Sequence, residues 1–300
     1  MDFDQLSTFV YVAKLKSFSR AGQKVFRSQS AVSAQIRQLE QAYRAKLLDR
    51  SAKSVELTPA GEVLFDYAER LLRLRDESVQ VVADRGNVVQ GPVVFGANEA
   101  TCLYLLPDIF AEFQRKYPQV HISIYRNFSH KILQRVEDGS VDVGIVTMPL
   151  KSPNLKVHHI YKDRMRFMVS CKNPLASRTQ VTLEEVAGQP LIFPRTGYTR
   201  QVLDKLFRPH RSRLQIAMEL PSVSMIKTFV AADVGISIIS ESFARDQVKS
   251  GEVKLLNVEG VDLWRELALV YRRDRSLPRA VQALIHMIRE SRKPAEAAHA

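Results

Sequence analysis

The change of texture at Gly91-Pro92 constrains this chain more than any other feature. Before it, apolar residues recur at helical spacing. After it, short β-rich apolar runs alternate with helical stretches. A chain of 300 residues with such a switch reads as two modules joined by a hinge through Gly86, Asn87, Gly91 and Pro92. No solenoid-period repeat and no low-complexity tract interrupts either module. Residues 291–300 are small or polar and read as a frayed end.

The N-terminal module reads as three helices and a hairpin. Leu6, Phe9, Val10 and Ala13 share one helix face. Ser19 is the expected N-cap of a short second helix with Ala21 and Val25 inward. Ser28 caps a third helix, in which Val32, Ile36 and Leu39 point inward. Its opposite face carries Gln29, Ser30, Ser33, Ala34 and Arg37. Two short helices joined tightly in this way have helix-turn-helix geometry. Small side chains let such a helix enter a major groove, Gln and Ser bond base edges or phosphates, and the helix N-terminus favours phosphate. Leu47-Leu48 and Val55-Glu56-Leu57 pair as a wing whose basic tip, Arg50 and Lys53, lies along the backbone of DNA.

The net charge of +12 agrees with a nucleic-acid partner, and its local distribution agrees better. Residues 20–53 carry eight basic side chains against Glu40 and Asp49. A solvated helical face would explain the charge alone, but not the caps, the inward triplet and the small polar outer face together. The candidate DNA-binding residues are Ser28, Gln29, Ser30, Ser33, Ala34, Arg37, Arg50 and Lys53.

Residues 59–87 read as one long helix, capped by Thr58 with Pro59 at its first position and Glu62 in its first turn. Phe65, Ala68, Leu72, Val79 and Val82 form its apolar stripe. A sixty-residue module cannot cover so long a stripe, so a partner helix is expected. Packing onto its own C-terminal module is the alternative.

From Pro92 the strands fall at 92–96, 120–124 and 141–146, then at 166–170, 190–193, 235–239 and 267–271, with a last helix at 278–290. One helix is expected to carry Leu105, Leu106, Ile109, Phe110 and Phe113 on its apolar face. Strand–helix alternation predicts a mostly parallel α/β sheet. Ligands of such sheets bind beyond the carboxyl ends of strands. That rule selects Asn98, Glu99, Ala100, Thr101, Ser129, Thr147, Met148, Tyr198, Thr199 and Ser224 as effector-binding candidates; Ser129 is also the expected cap of the next helix. An ordinary helix cap is the competing role for each Ser or Thr. Glu99 would repel a carboxylate unless Arg166, Arg195 or Arg200 balances it, so the effector is expected to bring a donor or cationic group, or Glu99 to turn away.

Catalytic motifs are missing: the sequence has no Walker loop, G-x-G-x-x-G, G-x-S-x-G or H-E-x-x-H. His158 and His159 are adjacent on a strand and so face opposite sides, which makes them poor joint metal ligands. No cofactor, no metal and no enzymatic activity are expected. Cys102 and Cys171 leave redox sensing as an alternative signal, with inert buried thiols the simpler reading. No apolar run is long enough for a bilayer, and the acidic start lacks the form of a secretion signal. A cytoplasmic protein is expected. A secreted solute-binding protein would account for the second module alone, and an enzyme with an accessory DNA-binding domain would need a catalytic constellation.

Ser17-Phe18-Ser19-Arg20-Ala21, Ser28-Gln29-Ser30-Ala31-Val32-Ser33, Ile36, Leu39-Glu40, Leu47, Arg50 and Leu57-Thr58-Pro59-Ala60-Gly61 together resemble the N-terminal domain of LysR-type transcriptional regulators. Leu106-Pro107, Tyr117-Pro118, Gly139-Ser140-Val141-Asp142, Asn173-Pro174-Leu175-Ala176 and Gly235-Ile236 resemble the effector domain of that family, itself similar to type 2 periplasmic binding proteins. Gly22 stands where the family usually has alanine, Tyr43-Arg44 where it has Leu-Gly, Leu48 where it has phenylalanine, and a basic residue often stands at Ala34. Asp233 replaces a usual glycine and Ser240 a usual proline.

The resemblance implies an α/β chain with three parts: a winged helix-turn-helix at 1–58, a linker and dimerisation helix with its hinge at 59–90, and a two-lobed effector-binding domain at 91–300. Lobe I would take about 91–162 and 267–290, and lobe II about 163–266. It further implies antiparallel pairing of linker helices in a homodimer, assembly into a homotetramer, double-stranded promoter DNA read at two heads about 34 Å apart, a small-molecule effector between the lobes, and altered recruitment of RNA polymerase.

Overall fold

The computed structural model describes residues 1–51, 54–83, 88–150, 152–274 and 276–291, which fall into two compact units: Met1–Val88 with Asp138–Ser140, and Val89–Glu137 with the chain from Val141 onward. In the first, helix α1 (Phe3–Leu15) opens on a capping box: Asp2 Oδ1 accepts from Gln5 N at 2.7 Å, and Gln5 Oε1 accepts from Asp2 N at 3.1 Å. Helix α2 (Phe18–Lys24) is capped by Ser17, whose Oγ accepts from Arg20 N at 3.3 Å. The expected cap, Ser19, lies one residue inside the first turn, because Ser17 is the last residue in extended conformation. Helix α3 (Gln29–Tyr43) is capped by Ser28, which accepts from Ala31 N at 3.2 Å.

Val32, Ile36 and Leu39 are fully buried against Leu6, Phe9, Val12 and Ala21, which makes a single core for the three helices. Strands β1 (Leu48–Ser51) and β2 (Ser54–Leu57) then pair antiparallel, with Leu48 opposite Leu57. Glu40 Oε1 accepts from Leu47 N at 2.9 Å and so ties the wing to α3.

Helix α4 (Pro59–Ala83) starts with Thr58 Oγ1 accepting from Gly61 N at 3.0 Å. A Cβ on Gly61 would stand 1.9 Å from the Leu47 carbonyl oxygen, so only glycine permits this approach. Leu64 and Ala68 are buried, and Phe65, Leu71 and Leu72 pack on the same core, with Lys14 Nζ 2.8 Å from Glu69 Oε1. The expected partner stripe is therefore corrected: Phe65, Ala68 and Leu72 serve their own module. The exposed apolar residues of α4 are Val63, Tyr67, Leu74, Val79 and Val82.

The second unit begins with β3 (Gly91–Ala97), α5 (Glu99–Tyr104), α6 (Pro107–Lys116), β4 (Val120–Arg126), α7 (Ser129–Glu137) and β5 (Val143–Thr147). The helix expected to carry Leu105 through Phe113 starts only at Pro107: α5 ends at Tyr104, Leu105 and Leu106 lie between the helices, and Pro107, which lacks an N–H, opens α6. β3 runs parallel to β4 and β5.

Then comes β6 (Leu155–Ser170), a continuous strand across the boundary expected near residue 162. Lobe II follows as α8 (Leu183–Ala187), β7 (Pro190–Pro194), α9 (Tyr198–Leu206), β8 (Gln215–Leu220), α10 (Val223–Ala231), β9 (Ser237–Ser240), α11 (Arg245–Lys249) and β10 (Val253–Leu256). The chain returns along β11 (Leu263–Arg272) and ends its described part in α12 (Arg279–Ser291).

β7 runs parallel to β8, and β8 and β10 are strands that the sequence reading did not place; β9, β10 and β11 all pair antiparallel with β6. The sheet is thus mixed and not mostly parallel: β6 and β11 run in opposite directions through both lobes. On β11, Leu267 and Leu269 join the core under α6 and α12, while Ala268 and Val270 join the core under α7. Lobe II has a core around Phe167 with Phe193, and a second, around Met168 with Ile239, takes in Ala100 of α5 as well.

Candidate functional site

On α3 the outward residues divide. Ser28, Gln29, Ser30 and Arg37 are exposed and Ala34 is half-buried. Ser33 is 9% exposed, and its Oγ accepts from Gln29 Nε2 at 3.3 Å. It supports Gln29 from beneath and does not stand on the open face, because position 33 is next to the inward Val32 and borders the core. Two of the basic residues counted in the patch are engaged inside the module. Arg20 Nη2 donates to the Leu15 carbonyl at 2.6 Å, and Arg27 Nη2 reaches Asp4 Oδ2 at 3.0 Å. Arg37 has no such internal partner among the described contacts and is a cation free to meet a phosphate or a base. Phe26, in the turn before α3, is 96% exposed, a feature no sequence pattern announces. The Arg50 side chain and Lys53 lie outside the described residues.

In the second unit a cavity of about 350 Å³ opens where the carboxyl ends of β3, β5 and β7 meet the starts of α5, α7, α9 and α10. Asn98, Glu99, Ala100, Ser129, Thr147, Tyr198 and Thr199 line it. The other three candidates do not. Thr101 is fully buried beneath the wall, Met148 packs on the core around Ile132, and Ser224 turns to Glu99. Asn98 also caps α5, accepting from Thr101 N at 2.9 Å. Ser129 stitches two elements: its Oγ accepts from Thr147 N at 2.9 Å, which ties α7 to the end of β5. The Tyr198 hydroxyl donates to the Trp264 carbonyl at 3.0 Å.

Glu99 is balanced, but by none of the three arginines expected. Arg126 Nη1 lies 3.3 Å from Glu99 Oε2, and Ser224 Oγ donates to Oε1 at 3.2 Å. Arg166 instead donates to the carbonyls of Leu255 and Leu256, and Arg200 bonds Asp204 and Glu219. Arg195 is not among the contacts of Glu99.

Among the wall residues that the sequence reading did not select are Phe128, Ser240 and Arg265. Arg265 is 6% exposed, with its guanidinium 4.4 Å from the Phe243 ring centroid. Burial pushes it down to about 10 while the Asp163 carboxylate pulls the other way, so it stays charged at neutral pH. Cys102 is half-buried in α5, and burial raises its thiol, the opposite of what an oxidant-reactive cysteine needs. Cys171 is exposed after β6.

Two family descriptions match the chain. Residues 3–62 match "Bacterial regulatory helix-turn-helix protein, lysR family", and residues 86–293 match "LysR substrate binding domain". The chain belongs to the LysR family. It is a LysR-type transcriptional regulator with a DNA-binding winged helix-turn-helix, a long linker helix and a two-lobed effector-binding domain.

Among its relatives is a probable RuBisCO transcriptional regulator of Chlorokybus atmophyticus, 30% identical over 93% of this chain and 91% of that protein. Among solved structures, a full-length OxyR variant from Pseudomonas aeruginosa has a TM-score of 0.73 at 22% identity, covering 96% of this chain and 95% of that one. CbnR complexed with its target DNA also has a TM-score of 0.73, at 19% identity, covering 97% and 100%. These likenesses show that the LysR fold runs through both modules. Among the described residues no helix of this regulator is long and apolar enough to cross a membrane.

Proposed function

We propose that the regulator binds promoter DNA as a homodimer, with Gln29, Ser30 and Arg37 reading bases, Ser28 and Ala34 at the groove wall, and Arg50 and Lys53 on phosphates. Ser33 holds Gln29 in position. The observation that carries this reading is the α3 surface, where Gln29, Ser30 and Arg37 stand exposed on the helix behind a capped N-terminus. The relative CbnR was solved on its target DNA.

The cavity lined by Asn98, Glu99, Thr147 and Thr199 would take a small-molecule effector. The effector acts by binding one arrangement of the lobes better than another, which alters head spacing and so contact with RNA polymerase. The tetramer implied by the family would pair two such dimers. The raised thiol of Cys102 favours an effector over redox sensing as the signal.

The test is selection of bound sites from random duplex DNA with the full chain, followed by footprinting. A dyad-symmetric motif with half-sites about one or two helical turns apart is expected. Arg37→Ala should weaken that site roughly 10- to 100-fold. Selection that yields no motif, or an unchanged footprint for Arg37→Ala, contradicts the assignment.

A further inference from the structure

The chemistry of the effector follows from three polar atoms in the cavity wall, an inference that rests on the effector-cleft reading above. Arg265 stands on β11 and Ser240 ends β9. Their cross-strand partners on β6 are Asp163 and Met165, two residues apart, so both side chains rise from one face of the sheet. Both line the cavity, and Ser240 is buried even more deeply than Arg265. Nε and Nη2 of Arg265 and Oγ of Ser240 are shut off from solvent and have no hydrogen-bond partner among the described residues.

Nε and Nη2 form one edge of the guanidinium. Two parallel N–H donors on such an edge are what a carboxylate or a phosphate accepts bidentately. Asp163 lies across the strand pair, but its Oδ2 takes the Ser242 hydroxyl and leaves that edge without an acceptor. Phe243 covers the guanidinium with its ring. A desolvated cation with unmet donors is an unfavourable arrangement that an incoming anion relieves.

The rest of the wall agrees. The nine-residue helix α9 begins at the cavity through Gly197, Tyr198 and Thr199, with no side-chain cap on its first N–H groups. A helix N-terminus adds positive potential. Glu99 does not oppose this, since Arg126 and Ser224 hold it. Leu150, Leu220 and Ile226 supply an apolar side for the body of a ligand.

We propose that the effector is a small anion whose carboxylate or phosphate group is held by Arg265 and Ser240. Such an anion fits neither alternative drawn from Glu99, a donor or cationic group on the effector or a Glu99 that turns away: Glu99 is held by Arg126 and Ser224 at the cavity wall.

Calorimetric titration of the full chain tests it. The probes are short-chain mono- and dicarboxylates, phosphate monoesters such as glycerol 3-phosphate, and the uncharged and cationic controls glycerol and ethanolamine. Saturable binding of an anion is expected, and the carboxylate and phosphate arms show which group the site takes. Arg265→Gln should weaken it roughly 10- to 100-fold, and Ser240→Ala about 5-fold. The double variant Asp163→Asn with Arg265→Gln removes the cation without stranding a buried carboxylate. It should keep the circular dichroism and thermal midpoint of the parent and lose the anion.

Unchanged anion affinity in the folded double variant overturns the proposal, and so does the lack of binding by any anion. If glycerol or ethanolamine binds instead and Thr199→Trp blocks it, the anion proposal falls while the cleft reading stands. If no probe of any class binds and Thr199→Trp leaves reporter transcription unaltered in the cell, the cleft reading falls as well.

Discussion

Arg44 closes α3 in a left-handed conformation, φ 49° and ψ 35°, that glycine adopts without strain and arginine does not. Its N–H still completes the helix end by donating to the Gln41 and Glu40 carbonyls, so the geometry is fixed by the turn into the wing. Arg44→Gly is therefore expected to raise stability by about 1 kcal/mol, read as a higher urea midpoint with an unchanged slope. A lower midpoint would contradict the strain argument. This position was legible in the sequence, because the resemblance places a glycine there. Phe26 was not: it also has a positive φ, 54°, and phenylalanine carries no signal for that conformation. Arg265 was equally hidden. In the run Leu263-Trp264-Arg265-Glu266 an arginine reads as a surface residue, and only the pairing of β11 with β6 places it inside.

At the level of elements, legibility depended on whether a pattern is local. α3 was readable because its cap and its inward triplet lie within a dozen residues. β6 was not, because Lys162, Asp163 and Arg164 interrupt its apolar runs and suggest a break where the strand continues. Asp163 turns inward opposite Arg265 of β11, while Lys162 is exposed on the other face, so the charged run sits in a continuous strand. α4 shows the same limit. Its stripe was seen, but which half the module covers depends on where α1 docks. What remains outward is Val63, Tyr67, Leu74, Val79 and Val82, an apolar set that one module leaves in water. If a second α4 covers it, Tyr67→Glu with Leu74→Glu should weaken self-association at least tenfold without lowering the helix content. Sedimentation equilibrium of the wild type and the double variant checks this; equal association constants would mean that another surface makes the dimer.

At the scale of the whole molecule, the charge does not sit where a simple count would put it. Residues 1–90 carry 14 basic against 11 acidic side chains, and the remaining 210 residues carry 30 against 21. Most of the +12 therefore lies in the effector-binding module. Part of it surrounds a separate depression, where Lys156, Arg273 and Arg289 come together. If total charge gripped the duplex, that cluster would matter as much as the reading head. If the head does the work, each phosphate-bound cation there should set about 0.9 of the log–log salt slope, and the Lys156, Arg273 and Arg289 cluster none. Fluorescence anisotropy on the selected site across a range of salt separates the two. Arg50→Ala and Lys53→Ala should each lower the slope by about 1 and leave the ratio of specific to non-specific affinity intact. Arg37→Ala should collapse that ratio. Joint replacement of Lys156, Arg273 and Arg289 by glutamine should change neither quantity. A drop in slope of about 3 for that triple variant would show instead that the duplex reaches the effector module, and that binding wraps more of the molecule than α3 and the wing.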